Sequence, residues 1–188
     1  MENLKTKVAI IGSGPAGLLL GQLLYKAGID HIIIEQRSAE YVAARIRAGI
    51  LEQVSVDLLA QAGVDQNLNK FGLPHDGIEI LSNGLKHRID LSALTQGKQV
   101  TVYGQTEVTK DLMQARENAG LCSYYEAGDV QIHDFDSKPY VTFNHNHQQY
   151  RLACDFIAGC DGYHGICRAS VSQDKIKTFE KVYPFGWL

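Results

Sequence analysis

Residues 7–35 constrain this chain more than any other stretch. Val8–Ile11 is a short apolar, β-branched run, the composition of a strand covered on both faces. Gly12, Gly14 and Gly17 follow as Gly-x-Gly-x-x-Gly. Residues 18–27 are good helix formers, and Gly28 supplies a stop. Residues 32–34 make a second apolar run with Glu35 at its carboxyl end. The pattern predicts a βαβ unit with a dinucleotide fingerprint in its first turn. Gly12 serves the tight turn, Gly14 lets a pyrophosphate approach the backbone, and Gly17 lets the helix pack closely. The helix start offers free N–H groups and a partial positive charge, and Pro15 suits its first turn. Glu35 stands 18 residues after Gly17, where an acid accepts hydrogen bonds from a ribose diol. The competing reading is a tight βα turn that binds nothing.

A chain of 188 residues supports one sizeable core with a small appended lobe. With a net charge of −3 and no basic stripe, nothing points to nucleic acid. No apolar run reaches membrane-spanning length. Residues 1–7 lead directly into the strand that the glycine turn needs, so they read as part of the fold rather than a cleaved leader. Cys122, Cys154, Cys160 and Cys167 show neither a Cys-x-x-Cys pair nor a matching His spacing. They read as buried free thiols of a cytoplasmic protein, with no metal expected.

Beyond Glu35, Arg45 and Arg47 sit two apart in the stretch 45–50. They suit either a solvated basic loop or a planar donor fork for cofactor phosphate. Residues 51–62 read as a helix, with Val54, Leu58 and Leu59 on one face and Gly63 as its stop. Residues 78–80 and 88–91 alternate around Asn83-Gly84, a half-buried hairpin that fits part of a second sheet. His75, just before it, reads as structural on its own. A short strand at 100–103 precedes an amphipathic helix at 105–119, with Val108, Leu112 and Ala115 on one side. Runs at 123–125, 129–133, 140–143 and 150–152 form a β-meander, an antiparallel crossover between core strands. Residues 155–162 are a buried strand ending in Asp161-Gly162, followed by a short helix at 164–168. Asp161 at a strand's carboxyl end suits a ligand edge or an ordinary Asp-Gly turn.

With these elements placed, the chain resembles the single-component flavoprotein aromatic hydroxylases. The resemblance rests on Val-Ala-Ile-Ile-Gly-Ser-Gly-Pro-Ala-Gly, Arg-Ile-Arg-Ala-Gly-Ile-Leu-Glu-Gln, Val-Tyr-Gly-Gln-Thr-Glu-Val-Thr, Ile-Ala-Gly-Cys-Asp-Gly-Tyr-His-Gly and Val-Tyr-Pro-Phe-Gly-Trp-Leu. It implies an α/β, Rossmann-like FAD-binding fold over 1–71 and 98–188, with 72–97 as a partial antiparallel substrate-domain hairpin. It implies FAD in the glycine fingerprint. Ser13 and Glu35 would meet the adenosine and pyrophosphate half. Arg45, Ile46, Arg47, Ala48, Gly49 and Ile50 would line the cofactor. Gln105 would reach it from a helix start, and Asp161 and Gly162 would serve both FAD and the nicotinamide nucleotide. Arg37, Tyr41, Arg47, His164 and Arg168 would form that nucleotide's approach surface. His75 would become a proton relay, a task to which an imidazole is suited.

The implied reaction hydroxylates 4-hydroxybenzoate to 3,4-dihydroxybenzoate with NADPH and O2. The order Gln36-Arg37 departs from the family's usual one; NADPH stays the expected nucleotide, with NADH as the alternative. Family members run to about twice this length, and no residue here matches their aromatic-binding set. The chain therefore reads as the amino-terminal half of such an enzyme, inactive alone, whose full-length form would be a homodimer. The alternative is a module that holds FAD or a similar nucleotide without turnover.

Overall fold

A computed structural model describes residues 1–186; Trp187 and Leu188, which close the stretch 182–188, lie outside the described residues. The chain opens with β1 (Glu2–Lys5) and β2 (Val8–Ile11), then α1 (Pro15–Lys26), β3 (His31–Ile34) and α2 (Ala39–Ala44). Next come β4 (Ile50–Glu52), α3 (Gln53–Ala62), α4 (Gln66–Phe71), β5 (Leu73–His75), β6 (Gly77–Ser82), β7 (Leu85–Asp90), α5 (Leu91–Leu94) and β8 (Val100–Val102). The remainder is α6 (Gln105–Asn118), β9 (Ser123–Tyr124), β10 (Gly128–His133), β11 (Tyr140–His145), β12 (Gln148–Ala153), β13 (Phe156–Gly159) and α7 (Ile166–Ala169).

The organising sheet is parallel, in the order β13-β2-β3-β9. Alternation along its strands divides the core in two. Ile10 and Ile33 point to one face and pack with Leu18, Leu59, Val108 and Leu112 of the helices. Ala9, Ile11 and Ile34 point to the other and meet Val141, Phe143 and Leu152 of the meander. The meander is β12-β11-β10, closed on its far edge by β1 in parallel with β12; residues 123–125, expected as its first strand, instead supply β9, paired in parallel with β3. The pattern of residues 1–7 gave no warning of a separate strand, because β1 gains its partner only from residues 150–153.

Several expectations need correction. The helix predicted from 51 begins at Gln53, because Ile50–Glu52 pairs with β8 instead. Val54 is exposed, and Val56 packs with Leu59. The strand predicted over 155–162 spans only Phe156–Gly159 and lies at a sheet edge, with Phe156 69% exposed. The β6-β7 hairpin has the expected turn, with Asn83 and Gly84 both left-handed (φ 51° and 77°), as a type I′ turn requires. It is not half-buried: Ile78, Ile80, Leu81 and Leu85 are all exposed. The cysteines are free, but of the four only Cys154 is buried: Cys160 and Cys167 are half-buried and Cys122 is exposed.

One buried cluster braces the helix layer on the sheet. Arg116 of α6 is 4% exposed. Its Nε donates to Ser123 Oγ at 2.6 Å, and its other nitrogens reach the Cys122 carbonyl and His31 Nε2. The guanidinium has no acceptor capacity, so His31 Nε2 accepts and Nδ1–H donates to the Ile29 carbonyl at 3.0 Å. Burial, with Arg116 adding to it, holds the His31 imidazole below its usual pKa; burial also lowers Arg116 to about 10.

Candidate cofactor groove

Parallel strands direct their carboxyl ends to one edge, and the loops leaving β2, β3 and β13 form a groove there of about 830 Å³. The three fingerprint glycines divide the work. Gly12 has φ +102°, and a Cβ there would lie 2.5 Å from the Cys160 carbonyl oxygen. A Cβ at Gly17 would press into the Gly12 carbonyl and approach Cys160 Cβ to 3.2 Å. These two glycines let α1 and the Cys160 loop close on β2. Gly14 differs: a Cβ there would meet nothing within 4 Å, and the residue lines the groove. Gly14 is also the N-cap of α1, which no side chain caps. The first-turn N–H groups of a 12-residue helix are therefore left for an anionic ligand.

Glu35 forms the opposite wall. Its Oε2 accepts the Ser13 N–H at 2.7 Å and its Oε1 the Arg37 N–H at 2.8 Å. Residues 124–127, at the end of β9 and just beyond it, clasp the Glu35 backbone. Glu35 N–H donates to the Tyr124 carbonyl at 2.8 Å, and Ala127 N–H donates to the Glu35 carbonyl at 2.9 Å.

Arg37, Tyr41, Arg45 and Arg47 line the groove beyond Glu35. Among the described residues these three arginines enter no ion pair. Their charges stay available to phosphate. Gln105 lines the groove from the first position of α6, another helix whose N-terminus no side chain caps. Asp161 and Gly162 complete the far side. Asp161 Oδ2 accepts the Cys167 N–H at 2.9 Å, and its carboxyl packs where a side chain on Gly165 would stand. Burial, then the bond to Asp161, holds the Cys167 thiol well above its usual pKa; burial also raises the pKa of Cys160, which lines the groove. His164 lines the groove and an adjoining cavity of about 370 Å³, which Arg168 also lines. Arg168 stacks over the Tyr163 ring at 4.7 Å, and that ring meets His164 edge-on at 5.0 Å.

Other residues expected at the cofactor stand elsewhere. Ser13 is fully buried, with its hydroxyl 3.0 Å from that of Tyr125. Ile46 is 86% exposed, and Ala48 is also outside the groove lining. Gly49 packs on the start of α6: its carbonyl accepts the Tyr103 N–H at 2.8 Å, and a Cβ would come 2.7 Å from Gly104 Cα. Ile50 belongs to β4, paired with Val102. His75 is exposed on β5 and paired with Val100, away from the groove. Sequence reasoning missed Thr109, Val130 and Tyr163, which all line the groove. Tyr163 lies between Gly162 and His164, so adjacency could have found it; Val130 comes from the meander, and no local pattern marks it.

This arrangement fits a dinucleotide. Gly14 leaves open space beside an uncapped helix start, the Glu35 carboxylate stands at the end of β3, and three arginines without an ion pair among the described residues line the same groove. The FAD binding domain family model matches residues 5–188. The chain is 81% identical over all 188 residues to p-hydroxybenzoate hydroxylase from Acinetobacter baylyi, and spans 46% of that protein's length. PqsL from Pseudomonas aeruginosa, solved with 2-aminobenzoylacetate, superposes with a TM-score of 0.78 at 19% identity, over 96% of this chain and 48% of that one. The p-nitrophenol 4-monooxygenase PnpA from Pseudomonas putida superposes with a TM-score of 0.75 at 21% identity, over 89% of this chain and 43% of that one. At those identities the two structures speak for the fold alone. The match over nearly the whole chain, on a groove built to take a dinucleotide, makes this chain a member of the FAD-binding domain family.

Proposed function

We propose that this chain is the FAD-holding portion of a 4-hydroxybenzoate 3-monooxygenase. The observation that carries the reading is 81% identity over the full 188 residues to a p-hydroxybenzoate hydroxylase. The FAD-holding part would comprise 1–71 and 98–188, with 72–97 beginning a substrate-side sheet. FAD, when bound, would carry reducing equivalents from NADPH to the reaction of O2 with the phenol. The protein's share is binding and orientation. Glu35 would accept hydrogen bonds from the ribose diol, and the α1 start at Gly14 would take the pyrophosphate. Arg45 and Arg47 would neutralise phosphate from the open side, and Asp161 would hold the turn that closes the far wall. Arg37, Tyr41, His164 and Arg168 would form the surface on which the nicotinamide nucleotide arrives. His75 would pass the phenol's proton towards solvent.

The chain spans less than half of that relative's length, and the hairpin faces are exposed. A closed pocket for the phenol is expected only with further sequence around it. The test uses the 188-residue chain alone and the same chain fused to the remaining length of the A. baylyi relative. Both receive FAD, NADPH, O2 and 4-hydroxybenzoate, and 3,4-dihydroxybenzoate is measured. Product from the fusion and none from the chain alone is the expected result. Product from the chain alone would show that its own residues build the pocket. A fusion that binds FAD yet forms no product would overturn the hydroxylase reading.

A further inference from the structure

The fingerprint loop holds one polar side chain that faces away from the groove. Ser13 is fully buried, and its hydroxyl pairs with that of Tyr125 at 3.0 Å across 112 residues of sequence. Tyr125 lies in the short connection between β9 and β10, a segment that also grips Glu35 from behind. Its neighbours supply the Tyr124 carbonyl and the Ala127 N–H to the Glu35 backbone, and the Glu126 N–H to the Arg37 carbonyl at 3.0 Å. The same Ser13 gives its own N–H to Glu35 Oε2 at 2.7 Å. Three strand ends are thereby tied together: β2 and β3 by the Ser13 N–H on the Glu35 carboxylate, and β9 to β2 by the bond between the Tyr125 and Ser13 hydroxyls.

An ionised carboxylate offers about four acceptor positions. Ser13 N–H takes one on Oε2 and Arg37 N–H one on Oε1. Each oxygen keeps one free, a matched pair for two neighbouring hydroxyls. If the Ser13 N–H drifts, Oε2 loses its fixed partner and the pair loses its alignment.

We propose that Tyr125 is a positioning residue for nucleotide ribose: by holding Ser13 it fixes the N–H that aims the Glu35 carboxylate, and so sets the preference for ribose over 2′-deoxyribose. Tyr125 does not line the groove, so it acts through Ser13 and Glu35. The inference rests on reading the groove as the FAD site. A bond that merely braced the core would change stability and leave sugar discrimination alone.

The test measures binding of FAD, ADP and 2′-deoxy-ADP to the 188-residue chain and to Tyr125→Phe, Ser13→Ala and the double variant, with apo melting temperatures alongside. Each single variant is expected to weaken FAD about three- to tenfold and to narrow the preference for ADP over 2′-deoxy-ADP by a similar factor. The double variant should be no worse than either single one, and Tyr125→Phe should add nothing in a Glu35→Gln background. Should Tyr125→Phe fail to fold, Ser13→Ala makes the same test from the other end of the bond. A lowered melting temperature with the ADP preference intact would overturn the proposal, as would additive effects of the two substitutions. A wild-type chain that binds neither FAD nor ADP would overturn the reading of the groove and the proposal with it. A wild-type chain that prefers ribose, with variants indistinguishable from it, would overturn the proposal alone.

Discussion

Gly14 and Gly17 stand three residues apart in one motif, yet they answer to different constraints. Alanine at Gly17 would drive its Cβ into the Gly12 carbonyl, so α1 would have to leave the sheet. Alanine at Gly14 meets open space at φ −71° and ψ 178°, a conformation any residue adopts. Gly17→Ala is therefore expected to lower the apo melting temperature by several degrees. Gly14→Ala should leave it nearly unchanged and weaken FAD at least tenfold, read by flavin fluorescence. The reverse ranking would mean that the loop does not face a cofactor. His31 carries a separate expectation. Burial depresses its pKa below the usual 6.5, so the unfolded chain takes up a proton more readily than the folded one. Its contribution to stability is fully present above about pH 6.5 and is lost as pH falls through that value towards the folded pKa. Melting curves from pH 7.5 to 5.5 should show the wild type losing stability relative to His31→Gln, which does not titrate there. Parallel curves would place the imidazole in a site that tolerates its charge.

The loop at 45–49 illustrates how far local pattern reaches. Its residues Arg45 and Arg47 were legible as candidate phosphate partners from their type and their nearness to the fingerprint, and both line the groove. Gly49 was not legible, because its constraint is the close approach of Gly104, 55 positions away by sequence number. Gly49→Ala is expected to push the loop off the start of α6, weakening FAD about three- to tenfold, an effect of roughly 0.7–1.4 kcal/mol, while far-ultraviolet circular dichroism stays unchanged. Unchanged affinity would mean that the arginines reach their ligand without that anchor. The βαβ unit, the type I′ hairpin and the meander could be read because their signals lie within a few residues: apolar period, turn glycines and caps. The start of α3, the edge position of β13 and the separate β1 could not, because each depends on a partner strand brought up by the fold. The exposed hairpin belongs with them: its alternation announces an apolar face, but nothing in those residues says what covers it.

On the scale of the molecule, a parallel sheet gathers the ends of β2, β3 and β13 at one edge, and the meander and helices pack its two faces into separate halves of the core. That division leaves the carboxyl edge free for a ligand, the usual position in such sheets. The site is accordingly spread over the chain from Ile11 to Ile166, and its fingerprint, acid and Asp-Gly turn were visible in the sequence. Val130 and the Ser13–Tyr125 bond were not, since they are contacts between distant segments. The central claim is that this edge holds FAD with Glu35 on the ribose. It is tested most directly by titrating FAD into the 188-residue chain and its Glu35→Ala variant, following flavin fluorescence. The expected result is saturable binding of one FAD per chain, weakened by the substitution about ten- to a hundredfold, as loss of a charge-assisted hydrogen bond of roughly 1.5–3 kcal/mol implies. No saturable binding by the wild type, or equal affinity in the variant, would contradict it.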